Sequence, residues 1–405
     1  MAHFSYTAKK DSSDVYHGTA EVRDRFELYQ IVRREGAHVL SVTEETTTDF
    51  LSVAYWNMLL AHIGEYEKIL FARNLGAMLS AGLALARALS VIERQTKNIK
   101  LAQLVADVAS DVRRGTTFHD ALSRFPDVFP SLFIAMVRAG EESGNLAHSL
   151  VAVSDQMERM YNLKKKIQGA LVYPAIIIFA IIIIGGFMMV KVVPTLSATF
   201  LQMKVELPFA TRAIIFVSDM LVHNGIVVVP LMVLFVAGVV FGFRTQSGKR
   251  VREYALLHLP IIGGLVREVN AARTSRTLAS LLSSGVDVMT SLEITADVVQ
   301  NSYFRSVIQE ARQAVATGGT LSSVFIQHED LYPPFVGEMM SVGEETGATN
   351  DMLTRLAQHY EDEVDRGTKD MSTVIEPFLM LFVGAMVGFF AVAMISPIYQ
   401  LTEHI

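Results

Sequence analysis

The sequence predicts a mainly α integral membrane protein with two repeated cytoplasmic helical bundles, three transmembrane helices and a small N-terminal α+β unit. Three observations predict it: uncharged stretches long enough to cross a bilayer, an internal repeat without gaps, and helical periodicity of apolar residues between those stretches. Hydrophobic residues make up 51% of the chain and charged ones 19%, and the apolar residues are concentrated in the uncharged stretches. The polar remainder carries mixed charge, as sizeable aqueous domains do.

The opening MAHFSYTAKKDSSDVYHG has no apolar core of a signal peptide, so the N-terminal part is expected in the cytoplasm. HFSYTA, VYHGTAE and HVLSVTEE alternate as short strands and DRFELYQIVRREG is patterned as a helix, which gives an α+β unit over residues 1–48. A linker helix is expected over 49–66, around LSVAYWNMLLAHI and the only tryptophan, Trp56. The first helical bundle follows at 67–168.

No charged residue lies between Lys166 and Lys191, between Asp219 and Arg244, or between Glu376 and Glu403. At about 1.5 Å of rise per residue, each gap covers the hydrocarbon core. Spans are accordingly placed at 169–192, 220–243 and 376–400, with an extracytoplasmic loop at 193–219, a second bundle at 244–375 and an extracytoplasmic tail at 401–405. Lys and Arg set the orientation. Arg159, Lys164, Lys165, Lys166, Arg244, Lys249, Arg250, Arg252, Arg366 and Lys369 flank one side, against Lys191, Lys204 and Arg212 on the other. Both bundles are therefore expected in the cytoplasm and the C-terminus outside. The lysine run before the first span anchors the helix end by snorkelling, with contact to anionic lipid as the alternative.

Sliding the sequence against itself by 203 residues aligns 73–198 with 276–401 without a gap. Gly82 falls on Gly285, Gly115 on Gly318, Pro130 on Pro333, and GEESG (Gly140 to Gly144) on GEETG (Gly343 to Gly347). Inside the membrane Pro174 meets Pro377, Gly185 meets Gly388, and Pro194 meets Pro397. Leu101, Leu104, Val105, Val108 and Val112 form an apolar helical stripe, repeated by Phe304, Val307, Ile308, Ala311 and Val315. Gly115 and Gly318 suit left-handed helix stops, and Thr117 with Asp120 resembles a capping box. Pro130 and Pro333 suit the first turn of a helix ending at Gly140 or Gly343. A long helix, from about Leu146 in one copy and Met352 in the other, should run from cytoplasm into bilayer, kinked at Pro174 and Pro377. The second span has no counterpart in the repeat; its crossing returns the chain so that both bundles share one side.

The chain offers little for chemistry. GFRTQSGKR from Gly242 resembles a P-loop, but its spacing is too long and Arg250 replaces the Ser or Thr that would hold magnesium. H-E-x-x-H and G-x-S-x-G are absent, and His328-Glu329-Asp330 lacks a second histidine. No catalytic, cofactor-binding or metal-binding residue is assigned. Without cysteine there are no disulfides and no thiol chemistry, and a net charge of -6 offers no basic surface for nucleic acid. The spans are nearly devoid of polar residues apart from the boundary Glu376, Ser218 and His223, which disfavours the competing reading as a transporter subunit.

Three features are candidate contact sites. The acidic turns admit two readings: Glu141, Glu142, Glu344 and Glu345 either serve the N-terminal dipole of the following helix, or form a surface for a basic groove on a partner or a loose cation site. Glu376, before Pro377, reads as an interfacial residue with partner contact as the sharper alternative. Gly384 and Gly388 form a small-residue face for a helix contact, to the first span or to another subunit.

The duplicated order resembles the type II secretion protein F family, which includes the platform proteins of type IV pili. FARNLGAMLSAGLALARAL (Phe71 to Leu89) looks like the opening of the first family module, GEESG and GEETG match its repeated acidic turn, and LPFATRAIIFVSDML (Leu207 to Leu221) is similar to the segment entering the second span. The resemblance implies a non-catalytic inner-membrane scaffold, without cofactor, that contacts a hexameric cytoplasmic ATPase, pilin or pseudopilin subunits and other platform proteins, and that forms a small oligomer such as a dimer. The second module is less basic near its span, which leaves open whether both modules meet the ATPase equally.

Overall fold

The computed structural model describes residues 2–10, 15–22, 31–32, 37–45, 62–202, 207–260 and 262–403. The chain divides into two compact units, residues 1–63 with 93–104 and residues 64–92 with 105–405. In the first, β1 (Ala2–Lys10), β2 (Val15–Val22) and β3 (Ala37–Glu45) form an antiparallel sheet in the order β2-β1-β3. Ala2 pairs with Val22 on one side of β1 and His3 with Glu45 on the other, with a register shift between Thr7 and Ala8. The helix expected at DRFELYQIVRREG lies outside the described residues except for Ile31 and Val32, which are helical. The linker helix expected over 49–66 lies outside them as far as residue 61, and Glu65 and Tyr66 open the next helix instead.

The remaining elements are helical. The first copy of the repeat contains α1 (Glu65–Ser80), α2 (Leu85–Gln95), α3 (Ile99–Arg113), α4 (Phe118–Ser123), α5 (Ser131–Glu142) and α6 (Leu146–Phe187). A π-helical turn (Met188–Val192) joins α6 to α7 (Val193–Gln202), and α8 (Phe209–His223) and α9 (Gly225–Gly242) follow. After α10 (Gln246–His258) come α11 (Ile262–Ser283), α12 (Val288–Val298), α13 (Ser302–Ala316), α14 (Leu321–Gln327), α15 (Pro334–Thr346) and α16 (Thr349–Glu403). The first residues of α2 to α6 and of α12 to α16 differ by 203 throughout, so the repeat is one of backbone geometry as well as of residues.

The turns explain that register. Gly82, Gly115 and Gly144 have φ of 83°, 95° and 72°, and Gly285, Gly318 and Gly347 have 85°, 86° and 71°. A side chain is rarely tolerated there, so glycine stops each helix at the same place in both copies. The predicted apolar stripes are buried except at their last residues, Val112 and Val315, which are half-buried; Val105, Val108, Phe304, Ile308 and Ala311 are at or near zero exposure. Tyr332 packs edge-on against Phe304 and Phe325 at 5.1 and 4.7 Å, and its hydroxyl lies 2.9 Å from that of Thr274. Burial pushes the Tyr332 phenol well above its ordinary pKa. The equivalent residues of the first copy, Phe129 and Phe71, pack with their rings tilted and 5.5 Å apart and need no polar partner.

Among the described residues, three helices are long and apolar enough to cross a membrane, within 146–200, 225–242 and 349–395. At 42 residues before the π turn and at 55 residues, α6 and α16 each carry their bundle's last helix into an apolar run. Helical structure continues through Pro174, which is buried, and through Pro377, which is exposed. Two expectations require correction. Within the stretch expected as a loop, residues 193–202 and 209–219 are helix, because Val193, Phe200 and Ile214 bury one another's apolar faces in a cluster with Ala393 and Met394. The helix that carries the second apolar stretch begins at Gly225 and not at residue 220, because the chain departs from helical geometry at Asn224, with φ of -114°.

Helix α8 has no counterpart in the repeat and closes it. Pro194 and Pro397 carry no N–H, so each long helix contains a carbonyl deprived of its donor. In α16 that carbonyl is Ala393's, four residues before Pro397; in the first copy the wider π turn moves it to Met189, five residues before Pro194. Thr211 and Ser218 of α8 donate their hydroxyls to the Ala393 and Met189 carbonyls respectively. Both are fully buried, with Ile214 between them on the same face. Replacing Thr211 by Val or Ser218 by Ala should destabilise the detergent-solubilised protein by about 1 kcal/mol each. A thermal melt should show this against Thr195→Val, which removes an exposed hydroxyl bonded only within its own helix; equal melting of all three would contradict the assignment.

Candidate functional site

The acidic turns divide their labour residue by residue. Glu141, in the last turn of α5, reaches back to the start of α4, where its carboxylate accepts the N–H groups of Phe118 at 2.7 Å and His119 at 3.0 Å. The His119 Nδ1 lies 2.7 Å away on the same carboxylate. Glu344 repeats this across the second copy, accepting from the Leu321 N–H at 2.6 Å, the Ser322 N–H at 3.1 Å and the Ser322 hydroxyl. A short helix exposes donors with no intrahelical acceptor, and a carboxylate at its positive end both satisfies and neutralises them. Burial alone would raise the Glu141 pKa, but the two backbone donors and His119 outweigh it and hold the carboxyl below its ordinary value.

The other positions of the motif serve the crossing and the surface. At Gly140 a Cβ would collide with the Ser149 side chain, and at Gly343 it would lie 3.0 Å from Thr349 Cα and 3.2 Å from Met352 Cβ. These glycines lie inside α5 and α15 and let the following long helix pack closely. They do not end the helices, which stop at the left-handed Gly144 and Gly347. Glu142 is exposed and pairs with Arg138 at 2.8 Å, and Glu345 is exposed and accepts from the Ser341 hydroxyl at 3.2 Å. Both carboxylates accordingly face solvent next to an inward-turned neighbour.

A second polar constellation lies where the long helices meet. Arg276 on α11 makes a bidentate pair with Glu361 on α16 at 2.7 and 2.9 Å. Arg73 on α1 pairs with Glu158 on α6 in the equivalent place, each residue 203 positions earlier. Contacts between copies then brace α6 against α16: Arg159 lies 3.8 Å from Glu361, and Lys166 lies 2.8 Å from Asp365. Gln156 accepts from the Ser280 hydroxyl at 2.8 Å, adding α11 to the seam. Lys166 and Lys369 hold the Asp365 carboxyl down at about 2. The 203-residue offset brings Arg73 onto Arg276 and Glu158 onto Glu361, a signal that punctuation residues had obscured.

The remaining candidates are less involved. Glu376 is half-buried on α16 beside Pro377. Gly384 and Gly388 face outward, and no atom among the described residues lies within 4 Å of where their Cβ atoms would stand. Of the two contacts expected of this face, the one to the first span is not made among the described residues.

Two copies of one helical module, each running into a membrane-length helix, with a third such helix between them, define a duplicated multi-pass membrane protein. The chain belongs to the type II secretion system protein F family: it matches the family "Type II secretion system (T2SS), protein F" over residues 71–194 and again over 274–397. It is 34% identical to the type IV pilus assembly protein PilC of Thermus thermophilus over 405 residues, covering 99% of this chain and 98% of that protein. It is also similar to the type II secretion system protein F of Aeromonas hydrophila, at 30% identity with 94% of this chain and 97% of that protein covered. The type IV pilus assembly protein PilC of Myxococcus xanthus is 30% identical, with 100% and 96% covered. Membership of this family gives the chain a platform role in pilus assembly or protein secretion.

Substituting Glu344 by Ala should cost about 2 kcal/mol of stability, whereas Glu345→Lys should stay within about 0.5 kcal/mol. Urea denaturation of the full chain in detergent measures both; equal effects would show that the inward carboxylate does not cap α14. The pH dependence has a defined sign. A carboxyl held below its ordinary pKa contributes fully above the ordinary carboxylate range and loses that contribution as pH falls through the lowered value. Acidification into that range should therefore lower the urea midpoint more for the natural protein than for Glu141→Gln.

Proposed function

We propose that this chain is the non-catalytic inner-membrane platform of a type IV pilus or type II secretion machine, and that it couples a cytoplasmic assembly ATPase to polymerisation of pilin or pseudopilin subunits. The observation that carries the proposal is the pair of long helices, each beginning in a polar bundle and ending in an apolar span, cross-braced by Arg159, Glu361, Lys166 and Asp365. A displacement imposed on either bundle has a direct mechanical route to the bilayer. The cationic flanks of the spans support bundles at 67–168 and 244–375 in the cytoplasm and a C-terminus outside. Outward-facing Glu142 and Glu345, with Glu376 at the membrane edge, form the proposed partner surface. The face of Gly384 and Gly388 supplies a proposed contact between copies in a dimer.

Two experiments test this reading. Because the chain has no cysteine, single cysteines introduced at Glu142, Glu345 and Lys204 report topology without background. A membrane-impermeant thiol reagent applied from outside should label only the Lys204 site, and labelling at Glu345 would overturn the orientation. The detergent-solubilised protein should also retain the assembly ATPase in a pull-down, with Glu142→Lys combined with Glu345→Lys weakening retention while the melting temperature is unchanged. Failure of the natural protein to retain the ATPase, with normal fibres or secretion in a deletion strain, would overturn the coupling role.

A further inference from the structure

A cavity of about 630 Å³ lies between α10, α11 and the start of α13, lined by Lys249, Arg252, Arg273 and Arg305 against one acidic residue, Glu253. Glu253 is buried and already engaged: it accepts the N–H and hydroxyl of Ser302 and lies 3.7 Å from Lys249. Arg305 spends one N–H on the Ala296 carbonyl at 2.8 Å. Arg273 is partly buried and, among the described residues, has no carboxylate partner. Burial accordingly pushes the Arg273 guanidinium below its ordinary pKa, with no opposing charge to restore it. Withdrawing a guanidinium from water without a counter-charge is unfavourable, and here further cations face the same space.

Such a space favours an anion, and the surroundings indicate which one. Helix α10 begins at Gln246, directly after the apolar α9 ends at Gly242, so it lies next to the membrane-length segment. Its outward face exposes Val251 and Tyr254 beside Arg250 and Arg252, with Leu259 exposed just past its end, the arrangement of a helix resting on a bilayer surface. Arginine forks match phosphate oxygens in geometry as well as in charge. We infer that this cavity binds the phosphate of an anionic phospholipid headgroup, with Arg273 at its base and Arg252 at its mouth. No motif in the sequence marks the site, since its cations come from three separate helices.

The test uses the full chain in detergent, titrated with short-chain phosphatidylglycerol, short-chain phosphatidylcholine and inorganic phosphate. Phosphatidylglycerol should raise the melting temperature saturably where phosphatidylcholine does not. Arg273→Gln should weaken that response by about ten-fold in midpoint concentration, the loss of one charged hydrogen-bonding group. Should Arg273→Gln fail to fold, the exposed Arg252→Gln should show a smaller weakening in the same direction. The inference is overturned by the absence of a phosphatidylglycerol response, by an unchanged response in the folded variants, or by inorganic phosphate giving the whole shift with no further effect of lipid. The last outcome would assign the cavity to a soluble phosphate compound.

Discussion

The carboxylate of Glu361 is the point on which the arrangement depends. It accepts both arms of the Arg276 guanidinium, whose side chain is only 7% exposed, and it lies within reach of Arg159 from the other copy. An arginine this deeply placed must be paired, and removing one partner of such a pair costs about 3–5 kcal/mol because the other charge is stranded. Glu361 thereby fixes α11 to α16 and fixes α16 to α6. The equivalent pair between Arg73 and Glu158 is more exposed, at 37% and 34%, so the second copy is held by the stronger version of a shared device.

From that seam the two long helices diverge into apolar segments and meet again beyond them, through α8. The two junctions follow different physics. Near the bundles, charged side chains are matched across α6 and α16. At the far end, prolines free two carbonyls, and the hydroxyls of Thr211 and Ser218 satisfy them within an apolar cluster. The duplicated modules are therefore tied at both ends, with one helix outside the repeat serving both copies at once.

Much of this was legible in the sequence, and the parts that were not share a cause. Periodicity and turn glycines located the bundles because helix stops at Gly115 and Gly318 are local events. The partner of a charged side chain is not local: Glu141 caps a helix whose first residue is Phe118, and sequence distance conceals that the two ends meet. Gly140 read as a helix stop because its spacing suits one, whereas the constraint on it is the approach of Ser149. The stretch 193–219 read as a loop because uncharged runs mark spans, not the helical segments that pack beside them. Phe129 falls on Tyr332 in the aligned copies, and Phe71 and Thr274 stand two residues ahead of those copies at the same offset, yet only the 2.9 Å hydroxyl contact shows the two exchanges to be coupled.

The central claim is that motion of a bundle reaches the bilayer through an uninterrupted helix. Inserting three glycines between Thr368 and Lys369 leaves Glu361 and Asp365 in the seam while uncoupling the segment that follows. In a deletion strain complemented with this variant, the account predicts that ATPase binding and membrane insertion persist while fibre assembly or secretion is lost. Normal assembly by the inserted variant would contradict it.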